Sequence, residues 1–156
     1  MDKQQVAAYL AGMFDGEGSI MIFKSPPRGH GKSAVYRLMV GMTSTNLAVL
    51  EFARKHYGGL IGGPYVRGER WRPSYRWQMY DNDSITFLQE IEPYIQAKRD
   101  QIRLAFEFRE RILNCRTQSL GKGYGSQQMT DDEMVARDAL YQRMKLLNQR
   151  GQPSDE

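Results

Sequence analysis

The sequence predicts an α+β fold: an antiparallel four-stranded sheet with helices covering one face. Two observations carry that prediction. Strand-forming segments come in two pairs, "SIMIF" with "AVYRLMVGMT" and "LIGGPYVR" with "SYRWQMY", each pair separated by turn residues. Segments of helical character flank both pairs, so the order is α β β α β β α α, then a linker and a last α. Such a sheet needs cover on one face and leaves its other face in water.

Residues 4–16 read as the first helix, with Val6, Ala7, Tyr9, Leu10, Met13 and Phe14 apolar and Gly18 as its stop. "SIMIF" follows as a strand, and "KSPPRGHGKS" is a loop because prolines and glycines break the pattern. In the second strand Tyr36, Leu38, Val40 and Met42 alternate with Arg37 and Gly41, as in a half-buried strand. "STNLAVLEFARKHYGG" is a helix running from cap residues to Gly58 and Gly59. A turn near Gly68 separates strands three and four, and in the fourth Tyr75, Trp77 and Met79 alternate with Arg76 and Gln78. "DNDSITFLQEIEPYI" is a helix with Ile85, Leu88 and Ile91 on one side, ended or kinked by Pro93. "QAKRDQIRLAFEFRERIL" is the next helix. These elements make a core unit of residues 1–116. Residues 117–129 read as a Gly/Ser/Gln linker, 130–150 as a C-terminal helix opened by a Thr130–Glu133 capping box, and 151–156 as a frayed tail.

The chain has 156 residues, 40% hydrophobic and 26% charged, enough for one domain with its own core. No apolar run approaches a bilayer span, and "MDKQQ" lacks the pattern of a signal peptide, so no membrane is expected. Cys115 is alone, which fits a reducing intracellular setting, cytoplasmic or organellar. "GKGYGS" lacks the P-loop pattern, neither His30 nor His56 has a partner at metal-ligand spacing, and the methionines read as core filling. No small-molecule cofactor is expected. A net charge of +4 favours a polyanionic partner weakly. Arg67, Arg70, Arg72 and Arg76, interleaved with Trp71, Tyr75 and Trp77, suit either a solvated strand face or a nucleic-acid contact.

The stretch "YLAGMFDGEGSI" breaks a local rule. Asp15 and Glu17 fall at the negative pole of a helix, where acids are electrostatically disfavoured, and such conflicts concentrate at functional sites. Ala8, Gly12 and Gly16 recur every four residues on one helix face. Small residues at that spacing let two helix backbones approach closely, and Gly otherwise costs about 1 kcal/mol per helical position. The helix is therefore expected to pack against a copy of itself.

"LAGMFDGEG" at 10–18 resembles the signature of the LAGLIDADG homing endonucleases. Leu10, Ala11, Gly12, Asp15 and Gly18 match letter for letter, Gly16 fills a small-residue position, and Glu17 replaces the second Asp, a change of length that the family accommodates. The αββαββα order resembles that family's core, and "PYIQAK" at 93–98 resembles the segment that delivers a basic residue to its active site. The resemblance implies that Glu17, with the backbone carbonyl of Gly16, holds Mg²⁺ or another divalent cation. It implies a catalytic role for Lys98, with Lys24 and Arg99 as alternatives, and a water-positioning role for Ser44. By the same resemblance Asp15 is structural, bonding backbone near the helix ends.

The resemblance also implies a sheet that reads double-stranded DNA. Counting on from Glu17, the groove side would hold Ser19, Met21, Phe23 and Ser25 of the first strand and Arg37, Met39 and Gly41 of the second. Strands three and four would add Arg67, Arg76 and Gln78, while Arg70 and Arg72 near the turn would reach outer base pairs or phosphates. "GLIGG" has no acids, so there is one signature where a complete site needs two. The expected protein is a homodimer that cuts both strands of a long, roughly palindromic site across the minor groove, leaving 3′ overhangs. It would come from a mobile element, intron-encoded or free-standing. A non-cleaving RNA maturase or transcription regulator on the same fold is the alternative.

Overall fold

A computed structural model describes residues 1–27, 33–118 and 129–149. His30, most of the 117–129 segment and the tail lie outside the described residues. Helix α1 (Lys3–Glu17) opens on a capping box that Asp2 and Gln5 form reciprocally, at 2.8 and 2.9 Å. It passes without a loop into β1 (Gly18–Ser25). That abrupt change requires glycine at 18, because a Cβ there would collide with the ring and the carbonyl oxygen of Phe14. The chain continues through β2 (Val35–Ser44), α2 (Leu47–Tyr57), β3 (Leu60–Tyr65), β4 (Ser74–Tyr80) and α3 (Asp81–Ile91). A 3₁₀ turn (Glu92–Tyr94), α4 (Arg99–Gln118) and α5 (Asp131–Leu147) complete it. The fold is α+β with the αββαββα core that the sequence predicts.

All four strands are antiparallel, in the order β1-β2-β4-β3. The inner face carries Ile20, Ile22, Tyr36, Leu38, Val40, Met42, Trp77 and Met79, all buried, against Leu10, Phe14, Leu88, Ile102 and Phe108 of the helices. Phe87 is the hub of this core. Its ring meets Phe14, Tyr57 and Trp77 edge-on at 5.4, 5.0 and 5.1 Å. Phe87 escaped the sequence reading, which put Ile85 in its place; Ile85 is only half-buried.

Three features differ from expectation, each for a physical reason. Lys98 precedes α4 instead of lying within it, because residues 95–98 are docked on α1. Thr130 does cap α5, accepting from the Glu133 amide at 3.2 Å, but the capping box is half made. The Glu133 carboxylate is buried and bonds Arg111 and Arg137, each at 2.8 Å, since two guanidinium groups outcompete a neutral amide. Finally, α5 is part of the core. Leu140 and Met144 join it, Asp138 pairs with Lys24 of β1 at 2.6 Å, and Asn148 donates to the Ile20 carbonyl at 2.7 Å.

Three helices are tied at one polar junction. Tyr57 donates to Glu90 at 3.0 Å, and Lys3 pairs with the other Glu90 oxygen at 2.7 Å. Burial, then the Glu90 bond, pushes the Tyr57 phenol from 10.0 up to about 12. The folded state thus favours the neutral phenol. This contribution is whole below pH 10 and lost as the pH rises through about 12. Tyr57→Phe should lower the thermal midpoint at neutral pH and flatten part of its fall across that alkaline window, read by melts over the pH series.

Candidate functional site

The carboxylates of the opening motif have separate fates. Asp15 turns back to the chain: its two oxygens accept from the amides of Gln96 at 2.7 Å and Ala97 at 3.1 Å. Those amides follow buried Ile95 in an irregular segment, where no helix or strand supplies partners. The Lys98 ammonium then donates to the Asp15 carbonyl oxygen, one of the outward carbonyls at the end of α1. A cation is favoured at that pole. Glu17, two residues on, is exposed and makes no hydrogen bond or ion pair among the described residues.

The other basic candidates are engaged elsewhere. Arg99 donates to the Ile95 carbonyl at 2.9 Å and to Gln96 at 3.3 Å, bracing the segment that carries Lys98. Lys24 lies near the far end of β1 from Glu17, paired with Asp138. Ser44 accepts from the Asn46 amide at 3.0 Å and, with Glu17, lines a cleft of about 320 Å³. Thr43, Thr45, Tyr65, Arg67, Trp71, Arg72 and Ser74 complete its walls.

That cleft revises the placing of the arginines. Gly18 pairs with Met42 and Ser44 with Tyr75, so the start of β1, the end of β2 and the start of β4 share one end of the sheet. The β3–β4 turn therefore sits at the Glu17 end, and Arg72 lines the cleft instead of reaching outward. Arg70 is exposed on the same turn. Arg67 lies beyond β3, not on it. Trp71, 69% exposed, lines the cleft, although the sequence reading names it only in passing among the arginines. Its signal was its position between two arginines, where an apolar side chain has no core to enter.

The register places the remaining candidates on the outer face. Ser19, Gly41, Gln78 and Leu60 form one cross-strand row; Met21, Met39 and Tyr80 another; Thr43, Arg76 and Gly62 a third. Phe23 stands opposite Arg37 and Ser25 opposite Val35. Two expected contacts do not present a side chain. Met39 is 3% exposed, and Gly41 is a buried floor where a Cβ would lie 2.7 Å from the Trp77 carbonyl oxygen. Arg76 lies over the Tyr65 ring at 5.7 Å.

Ala8, Gly12 and Gly16 are all exposed, and a Cβ at either glycine would meet nothing within 4 Å. Packing among the described residues therefore does not account for these glycines. The oxygens at the end of α1 suit a hard cation, but among the described residues no three His, Cys, Asp or Glu side chains cluster. Among the described residues no helix is long and apolar enough to cross a membrane.

Asp15→Asn keeps one acceptor oxygen and loses the other, with the charge. It should cost about 1.5–3 kcal/mol of stability, the worth of a hydrogen bond to a charged group, measured by denaturant unfolding.

Neither a protein-family model nor a curated protein sequence matches the chain. Solved structures do. The homing endonuclease I-CvuI, in complex with the I-CreI target in the presence of Mg, has a TM-score of 0.73 at 18% identity, covering 97% of this chain and 87% of that one. The archaeal intron-encoded homing endonuclease I-Vdi141I, complexed with DNA, has a TM-score of 0.71 at 16% identity, covering 99% and 91%. The I-SmaMI LAGLIDADG homing endonuclease bound to cleaved DNA has a TM-score of 0.69 at 16% identity, covering 92% of this chain but 45% of that one. At such identities the likeness is one of fold, and it agrees with the motif at the end of α1: this chain has the fold of the LAGLIDADG homing endonucleases.

Proposed function

We propose that the protein is a site-specific endonuclease of double-stranded DNA, acting as a homodimer with a divalent cation on a long, roughly palindromic site. The observation that carries this reading is the exposed Glu17, without a partner among the described residues, at the end of a helix whose Ala8–Gly12–Gly16 face is exposed. Two copies packed along that face would bring both Glu17 carboxylates to one point. Like charges there repel unless a cation neutralises them. The two-fold symmetry of the protein would set that of the site.

Glu17 and the Gly16 carbonyl of each copy would hold the cation. Bound there, Mg²⁺ or a similar ion activates water and stabilises charge on the scissile phosphate. The chain's own residues do the rest. Lys98, carried on the segment that Asp15 and Arg99 brace, adds positive charge beside the reacting phosphate. Arg67 and Arg72 line the Glu17 cleft, where they would grip backbone phosphates. On the outer face Arg37, Arg76 and Gln78 offer the side-chain types that read guanine and adenine edges, beside Ser19, Met21, Phe23 and Ser25.

Glu17→Gln keeps size and removes charge. Stability and DNA binding should hold, while Mg²⁺-dependent cutting of a selected duplex should fall by 100-fold or more, roughly 3 kcal/mol of barrier. Near wild-type cutting would show that another group holds the cation. A wild type that binds duplex but never nicks it would instead mark a binding protein on this fold.

The dimer has its own test. Gly12→Leu adds a side chain where a Cβ meets nothing within 4 Å among the described residues, so a clash with a second copy is its expected effect. Sedimentation should show wild-type dimers at micromolar concentration and monomeric, folded Gly12→Leu. A monomeric wild type refutes the interface.

A further inference from the structure

Arg37 and Asp81 form a pair whose geometry is more elaborate than general DNA binding requires. Arg37 stands on the outer face of β2, opposite Phe23. Asp81 follows β4 directly and holds φ at 48°, a left-handed conformation that Asp and Asn tolerate better than other residues with side chains. One Asp81 oxygen accepts from the Leu38 amide at 3.3 Å. The other accepts from Arg37 Nε at 2.9 Å and lies 2.9 Å from Nη2. The guanidinium carbon sits 4.8 Å from the centroid of the Tyr80 ring. A carboxylate and an aromatic face thus hold the guanidinium in place, while both charged side chains stay partly open to solvent at 45% and 37%.

An acid on a surface that meets phosphates opposes binding, so its presence asks for a compensating role. Orientation supplies one. Arginine has many rotamers, and fixing it before binding avoids that cost during binding. Asp81 occupies Nε and one side of Nη2. Among the described residues nothing else bonds the Nη1–Nη2 end, and that end can donate to O6 and N7 of guanine. The pair is neutral as a unit, so it adds little to counterion release.

We propose that Asp81 is a positioning residue that holds Arg37 to read one guanine per half-site in the major groove, so that the pair supplies discrimination more than affinity. The inference rests on the proposal that the outer face binds DNA. Asp81→Asn is the informative variant, because Asn accepts the positive φ and can still bond the Leu38 amide but has no second oxygen for Arg37. Arg37→Ala leaves Asp81 and its Leu38 bond in place and keeps the test open if Asp81→Asn does not fold.

Wild type, both single variants and the double variant would each select binding sites from a randomised duplex library. Binding to the selected duplex and to an unrelated one would then be titrated against salt. Each single variant should lose about tenfold of the guanine preference at the same position, and the double variant no more than Arg37→Ala alone. Asp81→Asn should bind unrelated duplex at least as tightly as wild type, with a steeper salt dependence, because it frees one positive charge. Uniform weakening on every duplex, or a guanine preference unchanged in either variant, overturns the proposal. A wild type that binds no duplex defeats the DNA-binding reading, and this inference with it.

Discussion

The Asp15 carboxylate is the constraint from which the rest of the site follows. An acid at the negative pole of a helix is unfavourable by itself. Here it is stabilised by two backbone amides, those of Gln96 and Ala97, in a segment where no helix or strand supplies partners. The exchange fixes residues 95–98 against the end of α1, and with them Ile95 in the core and Lys98 at the outward carbonyls. Because Gly18 starts β1 at once, the same helix end also sets the first row of the sheet. Helix end, basic segment and strand register are thus one mechanical unit, and Glu17 projects from it.

The molecule separates its two kinds of surface by strand parity. On the inner face Trp77, Met79 and their neighbours close around Phe87. On the outer face the side chains are mixed and partly ordered by one another: Arg37 by Asp81 and Tyr80, Arg76 by the Tyr65 ring. Exposed ion pairs contribute little to stability. On this face such contacts fix where a charge points.

Much of this was legible in the sequence because it is local. Alternation in "AVYRLMVGMT" separated the inner residues of β2 from Arg37, and the signature at 10–18 located both carboxylates and the open helix face. What was not legible depends on strand order and on partners distant in sequence. Nothing in residues 66–73 says which end of the sheet their turn occupies; the pairing of Ser44 with Tyr75 decides it. Parity put Met39 on the outer face but could not show that it would be covered there. Glu133 looked like a cap because the motif is local, whereas Arg111 reaches it from another helix. Asp81 carried no signal at all, since its role needs a guanidinium from 44 residues away.

The two margins of the sheet are finished in different ways. Along β1, helix α5 packs beside the strand, and Asn148 occupies the Ile20 carbonyl that an incoming strand would need. Along β3 the run is short, interrupted between Gly62 and Tyr65, and contains Pro64, which has no amide to offer. Neither margin is a good template for another strand. The fold therefore resists growth by sheet extension, the common route to fibrous aggregation.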